Sequence, residues 1–188
     1  MAACCESLDV AAALLDAEPD LLLARTRLGE TALHFLVVEN EPDAVRWLLG
    51  RGAALDTLSE LAMTPLSDAA LLGHEALVAW LLDNGAALDV PGLCSPVLCS
   101  AASSGDVEIV RRVLAAGADA AVADRAGRTA MHVACRSDDG LAIVDLLLAA
   151  GASPHASLVS GKTPLDVAIE SGASRVASLL RSRGAKAG

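Results

Sequence analysis

Thr64-Pro-Leu-Ser-Asp-Ala-Ala-Leu-Leu-Gly-His-Glu-Ala-Leu-Val-Ala-Trp-Leu-Leu-Asp-Asn-Gly-Ala86 decides the fold of this chain. Thr64 has the chemistry of a helix N-cap, and Pro65 suits the first helical position, where a missing N–H costs nothing. A helix over Pro65–Leu72 then stops at Gly73. A second helix over Glu75–Asp83 stops before Gly85, a residue suited to a left-handed terminus. Leu66, Ala69 and Ala70 on the first helix face Leu77, Val78, Leu81 and Leu82 on the second. Such a pair is too thin to bury its own apolar face, so it needs neighbours.

Working outward, the same text recurs. Thr31-Ala-Leu-His34, Pro96-Val-Leu-Cys99, Thr129-Ala-Met-His132 and Thr163-Pro-Leu-Asp166 match the Thr64 anchor at spacings of 33, 32, 33 and 34 residues. Each is followed by a second mark: Gly52-Ala53, Gly85-Ala86, Gly117-Ala118, Gly151-Ala152 and Gly184-Ala185. A period of ~33 with this start resembles the ankyrin repeat. The resemblance covers nearly the whole chain. It implies an all-α solenoid of stacked helix–turn–helix units joined by hairpin-like fingers, without a sheet core. The layers divide the chain into an incomplete N-terminal repeat or cap at 1–30 and repeats at 31–63, 64–95, 96–128 and 129–162. A capping repeat with its tail occupies 163–188. Helix pairs are expected to start near residues 2, 31, 64, 96, 129 and 163, with Val10–Leu15 as the second helix of the first.

The turns carry their own signals. Gly29, Gly127 and Gly161 supply positive φ in the fingers, and Ala62 occupies that slot in one of them. Asn40 replaces glycine after one first helix. The Val90–Ser95 finger is one residue short, and the Arg136–Gly140 turn is one residue long. Ser174, Ser178, Arg181 and Ser182 make the last layer polar, as a solvent-facing cap requires.

Composition restricts the function. The 188 residues carry a net charge of −10 and three aromatics, two Trp and one Phe. Nucleic-acid binding is not expected, because both the basic footprint and the stacking platforms are missing. Residues 1–63 hold 11 acids against 4 bases, for −7, and residues 129–188 hold 5 against 6, for +1. No run approaches the ~20 apolar residues of a membrane span, and the first residues do not read as a signal peptide. Five cysteines, an odd number without framework spacing, suggest free thiols and a cytoplasmic location.

Chemical motifs dissolve into the repeat. Ser160-Gly-Lys-Thr163 is similar to the end of a phosphate-binding loop, but Ala156 stands where that loop needs glycine. The loop is also in phase with Gly29-Glu-Thr31 and Gly127-Arg-Thr129. Cys94, Cys99, His132 and Cys135 have spacings near those of zinc ligands. Yet Cys99 and His132 occupy the slot of His34, where the resemblance implies a hydrogen bond to the adjoining turn. Asp138 and Asp139 read as a solvated pair on an exposed turn. Trp47 and Trp80 share one slot on the second helix, and Arg112 follows, placed to lie over Trp80. No cofactor, metal or catalytic residue is expected, and the chain does not read as an enzyme.

The resemblance implies a groove lined by fingers and first helices that grips another protein, with the chain itself a monomer. Read at the finger tips and at the outward positions late in the first helices, the contact set is Leu61, Met63, Leu71, Leu72 and Leu93. Arg125, Arg128 and Arg136 flank it. A regulatory inhibitor or immunity-type protein that occludes an enzyme or toxin would use the same surface.

Overall fold

The computed structural model describes residues 2–90 and 92–187, with side chains from residue 9 onward. Helix α1 (Ala2–Ala17) leads through a 3-10 turn (Pro19–Leu23) into five helix pairs. These are α2 (Ala32–Val38) with α3 (Pro42–Gly50), α4 (Pro65–Leu72) with α5 (Glu75–Asp83), and α6 (Val97–Ser104) with α7 (Val107–Ala115). Then follow α8 (Ala130–Ala134) with α9 (Leu141–Ala149), and α10 (Pro164–Glu170) with α11 (Ser174–Ser182). No strand occurs among the described residues. No helix among them is long and apolar enough to cross a membrane.

First helices stack on first helices, α2 on α4, α4 on α6 and α6 on α8, and second helices stack likewise. Small side chains permit the close approach: Ala69, Ala70, Ala101, Ala102 and Ala134 are all buried between layers. The branched residues of the second helices, Val78, Leu81, Ile109, Val113, Ile143 and Leu147, close the other side of the same continuous core.

The turn readings hold where backbone strain was expected. Ala62 and Asn40 both take φ near 55°, in the left-handed region that β-carbons disfavour. Gly127 also needs to be glycine for space, since a Cβ there would meet the Ser157 carbonyl at 2.9 Å.

The first layer differs from expectation. Residues 2–17 form one helix and not a pair, because nothing between Ala2 and Ala17 breaks helix and the first breaker is Pro19. A helix pair starting near residue 2 is therefore absent, and Val10–Leu15 is the second half of α1. Among the described residues no separate first helix stands between α1 and α2.

The Asp138–Asp139 turn also differs. Asp138 is half-buried, and its Oδ1 accepts from the amides of Arg175 (2.8 Å) and Val176 (3.0 Å). It thereby caps α11, whose own N-cap residue, Ala173, offers no side-chain acceptor. The extra residue of this turn reaches the next layer, while Asp139 stays exposed.

Candidate functional site: the finger and first-helix face

Each layer presents a finger tip and the end of a first helix on the same side. The fingers are fastened edge to edge. Glu60 N donates to the Leu28 carbonyl (2.8 Å), Cys94 N to Ala62 (2.9 Å) and Val159 N to Ala126 (2.9 Å). Among the described residues no such bond joins the third finger to the fourth. A cleft of about 490 Å³ opens there, lined by Leu93, Val122, Asp89, Asp119 and Arg125 among others. The third finger is the short one.

One repeated hydrogen bond orients the fingers from below. The Thr31 amide donates to Nδ1 of His34 (3.2 Å), which places the proton on Nε2. That Nε2 lies 3.3 Å from the Met63 carbonyl, in the next finger. Cys99 takes the same slot, and its thiol donates to the Arg128 carbonyl at 3.8 Å. His132 repeats the Thr129 contact (3.3 Å), but among the described residues its Nε2 finds no hydrogen-bond partner. The Lys162 and Ala156 carbonyls act on its charge without bonding geometry. Burial lowers the pKa of both histidines. Burial pushes the thiols of Cys99 to about 11 and Cys135 to about 12, so both stay protonated and unreactive. Among the described residues no three metal-ligating side chains gather. Cys4 and Cys5 lie outside the described side chains.

The expected contact residues fall as follows. Leu61, Leu71 and Leu72 are 64%, 43% and 47% exposed. Met63 and Leu93 are half-buried, and Leu93 packs against the core. The exposed thiol of Cys94 reaches Met63 Sδ at 3.3 Å, so the second and third fingers meet through sulfur. Arg125 and Arg136 are exposed, and neither makes an ion pair among the described residues. Arg128 pairs with Asp124 at 2.9 Å, so its charge is largely compensated locally. Lys162 pairs with Glu170 (2.7 Å), and Gly161 before it turns the finger at φ 84°.

Two further groups were not legible in the sequence, one on this face and one on the second helices. Asp68 follows the Thr64 anchor on α4, and burial, with Glu30 adding repulsion, raises its pKa to about 6. Only stacking creates that environment. On the second helices, Arg46 lies over Trp80 (6.0 Å) and Arg51 over Trp47 (5.0 Å). Arg112 does not take the Trp80 face. It is held by Glu75 (3.2 Å) and Glu108 (3.5 Å), whose full charges attract a guanidinium more strongly than a ring does.

Stacked helix pairs with tied fingers define a repeat solenoid, and the comparisons name its kind. The family profile of ankyrin repeats matches residues 1–91 and again 98–188, and the chain belongs to the ankyrin repeat family. It is similar to mouse ankyrin repeat and SOCS box protein 16 (Mus musculus), 38% identical over 85% of this chain and 37% of that protein. It is also similar to the chicken nuclear factor NF-kappa-B p105 subunit (Gallus gallus), 28% identical over 92% of this chain and 18% of that protein. The E3 ubiquitin-protein ligase KEG of Arabidopsis thaliana is 29% identical over 83% of this chain and 10% of its own length. The chain thus spans less than two fifths of these curated relatives. Ankyrin repeats are in general protein–protein interaction modules, and the family points to binding without catalysis.

Proposed function

We propose that this chain is a recognition module that binds another protein through its finger and first-helix face, centred on Leu61, Met63, Leu71, Leu72 and Leu93. The observation that carries this reading is the exposure of Leu61, Leu71 and Leu72 on one layer, beside the Met63–Cys94 contact to the next. Contiguous apolar surface of a few hundred Å² marks interaction sites on otherwise polar proteins. Arg125 and Arg136 add uncompensated positive charge at the C-terminal side of the face, with Arg128 drawn back by Asp124. The matching partner has an apolar ridge beside carboxylates. The chain acts as a cytoplasmic monomer on this reading, which the unpaired thiols of Cys94, Cys99 and Cys135 support.

The test begins with affinity capture from the source cells and identification of the bound protein by mass spectrometry. Its affinity is then measured for Met63→Glu combined with Leu72→Arg, and for Ala79→Arg on a second helix as control. We expect the double variant to bind at least about tenfold more weakly, the loss of a hot-spot contact, and the control to bind as the parent. Retained binding by a double variant with an unchanged circular dichroism spectrum overturns the proposal. A captured enzyme whose rate falls on binding would make the interaction an occlusion.

A further inference from the structure

The finger and first-helix face carries opposite charge at its two ends. At the N-terminal end Asp68 stands on α4, one turn before the exposed Leu71 and Leu72, so the three share a face of that helix. The same slot holds Phe35, Ser100, Val133 and Val167 in the other layers, so stacking does not call for a charge there. Asp68 is half-buried, and among the described residues its carboxyl has no hydrogen bond and no ion pair. A carboxylate held partly out of water with no cation or donor beside it costs the fold free energy, and a cation brought from outside offsets that cost.

A second half-buried carboxylate works against the first. Glu30, at the end of the first finger, repels the Asp68 charge, and its side chain is held by a long bond from Thr26 Oγ1 (3.4 Å). Glu60 of the second finger lies against Gly29 of the first, where a β-carbon would meet its Cγ at 2.9 Å. The arginines of the first finger pair with none of these acids among the described residues. Arg25 gives Nη1 to the Gly29 and Leu58 carbonyls (2.9 and 2.7 Å), and Arg27 stays exposed. At the other end Arg125 on the fourth finger and Arg136 after α8 are exposed and unpaired among the described residues, while Arg128 is matched by Asp124. Stacked helices lie roughly 10 Å apart, so two layers, about 20 Å, separate α4 from α8. About six extended residues span that distance.

We propose, resting on the finger face as the docking surface, that the partner segment bound there has a fixed polarity: a Lys or Arg between Asp68 and Glu30, apolar side chains on Leu71 and Leu72, and a carboxylate at Arg125 or Arg136. Its basic end lies at the first two fingers and its acidic end at the fourth. A segment of reversed charge sets like against like at both ends and is rejected.

The probe is a phage-displayed library of random 12-residue peptides, selected on the intact chain, with the enriched peptides then synthesised and titrated. We expect Lys or Arg toward one end of these peptides, Asp or Glu toward the other, and apolar residues between. Asp68→Lys should weaken such a peptide at least about tenfold, and exchanging the peptide's basic residue for glutamate should restore its binding to that variant. Asp68→Asn, nearly the same size as the parent residue, should weaken it several-fold and serves if lysine disturbs α4. Arg125→Glu with Arg136→Glu should weaken the full peptide but leave one stripped of its acidic end unaffected. Enriched peptides without a basic residue, equal affinity for Asp68→Asn and the parent, or equal binding of a peptide with its charges exchanged end for end overturns the proposal. So does a selection that enriches nothing. Loss of binding in Met63→Glu with Leu72→Arg but no response to Asp68→Asn keeps the docking face and removes its polarity. Peptides indifferent to Met63→Glu with Leu72→Arg remove the face itself, so the two proposals fail separately.

Discussion

Asp68 shows how one side chain takes its chemistry from the stack. Its carboxyl lies half-buried on α4, and burial first, then Glu30, raises its pKa from 3.8 to about 6. The folded state therefore holds this proton more tightly than the unfolded chain does. The stabilisation from proton uptake is complete below pH 3.8 and is lost as pH rises through about 6. At neutral pH the charged carboxylate burdens the fold. Asp68→Asn removes that burden, and should stabilise the protein at pH 7.5 by on the order of 1 kcal/mol, a value reduced for solvent screening. The gain should shrink at pH 4. Urea midpoints of both proteins at the two pH values check this, and a gain that is larger at pH 4 would contradict the assignment. His34, Cys99 and His132 teach the complementary lesson. Two residue types fill one slot, and in His34 and Cys99 they make one bond, to the carbonyl that precedes the next anchor. The slot does not demand that bond, since Ser67 and Asp166 occupy it in two other layers and bond their own N-cap threonines instead.

At the scale of the element, the turns decide which changes the fold tolerates. Gly140 takes an ordinary φ of −73°, so its constraint is not torsional. A β-carbon there would run into the Ala134 carbonyl, because the long turn folds back onto the end of α8. Gly105 has φ 78° and open space around it. Gly140→Ala should cost about 2–4 kcal/mol through overpacking against backbone that cannot yield. Gly105→Ala should cost only about 1 kcal/mol, the strain of a left-handed alanine. Chemical denaturation of the two variants checks the order, and equal losses would show that the turn has room to shift. The same turn carries Asp138, the cap of α11. The residue that makes this turn longer than its counterparts thus has a structural task in the neighbouring layer.

For the molecule as a whole, stability is a sum over layers and their interfaces. Inner layers have two neighbours and end layers have one. The N-terminal end has in addition the open flank of α2, with Leu14 and Phe35 exposed. Native-state hydrogen exchange should therefore be slowest in α4 through α9, faster in α10 and α11, and fastest in α1. Amides of α1 that exchange as slowly as those of α6 would mean that the first layer is far better supported than its packing indicates.

The repeat was legible because it is local. Thr64 with Pro65, Gly73 and Gly85 acts through hydrogen bonds and torsions within a few residues, and the helix bounds of α4 and α5 follow from them. Ala62 and Asn40 at φ near 55° belong to the same class, since repeat phase alone assigns them the glycine slots. The ~33-residue period then dictates stacking, because a single pair cannot bury its own apolar face. The sequence by itself thus determined an all-α ankyrin solenoid. Tertiary structure alone decided what spans layers. It set Asp138 on α11, Arg46 over Trp80 with Arg112 on Glu75, and the raised proton affinity of Asp68 beside Glu30. Each depends on distances between residues 30 or more apart in the chain, and a one-dimensional period fixes which slots repeat without fixing which side chains meet across them.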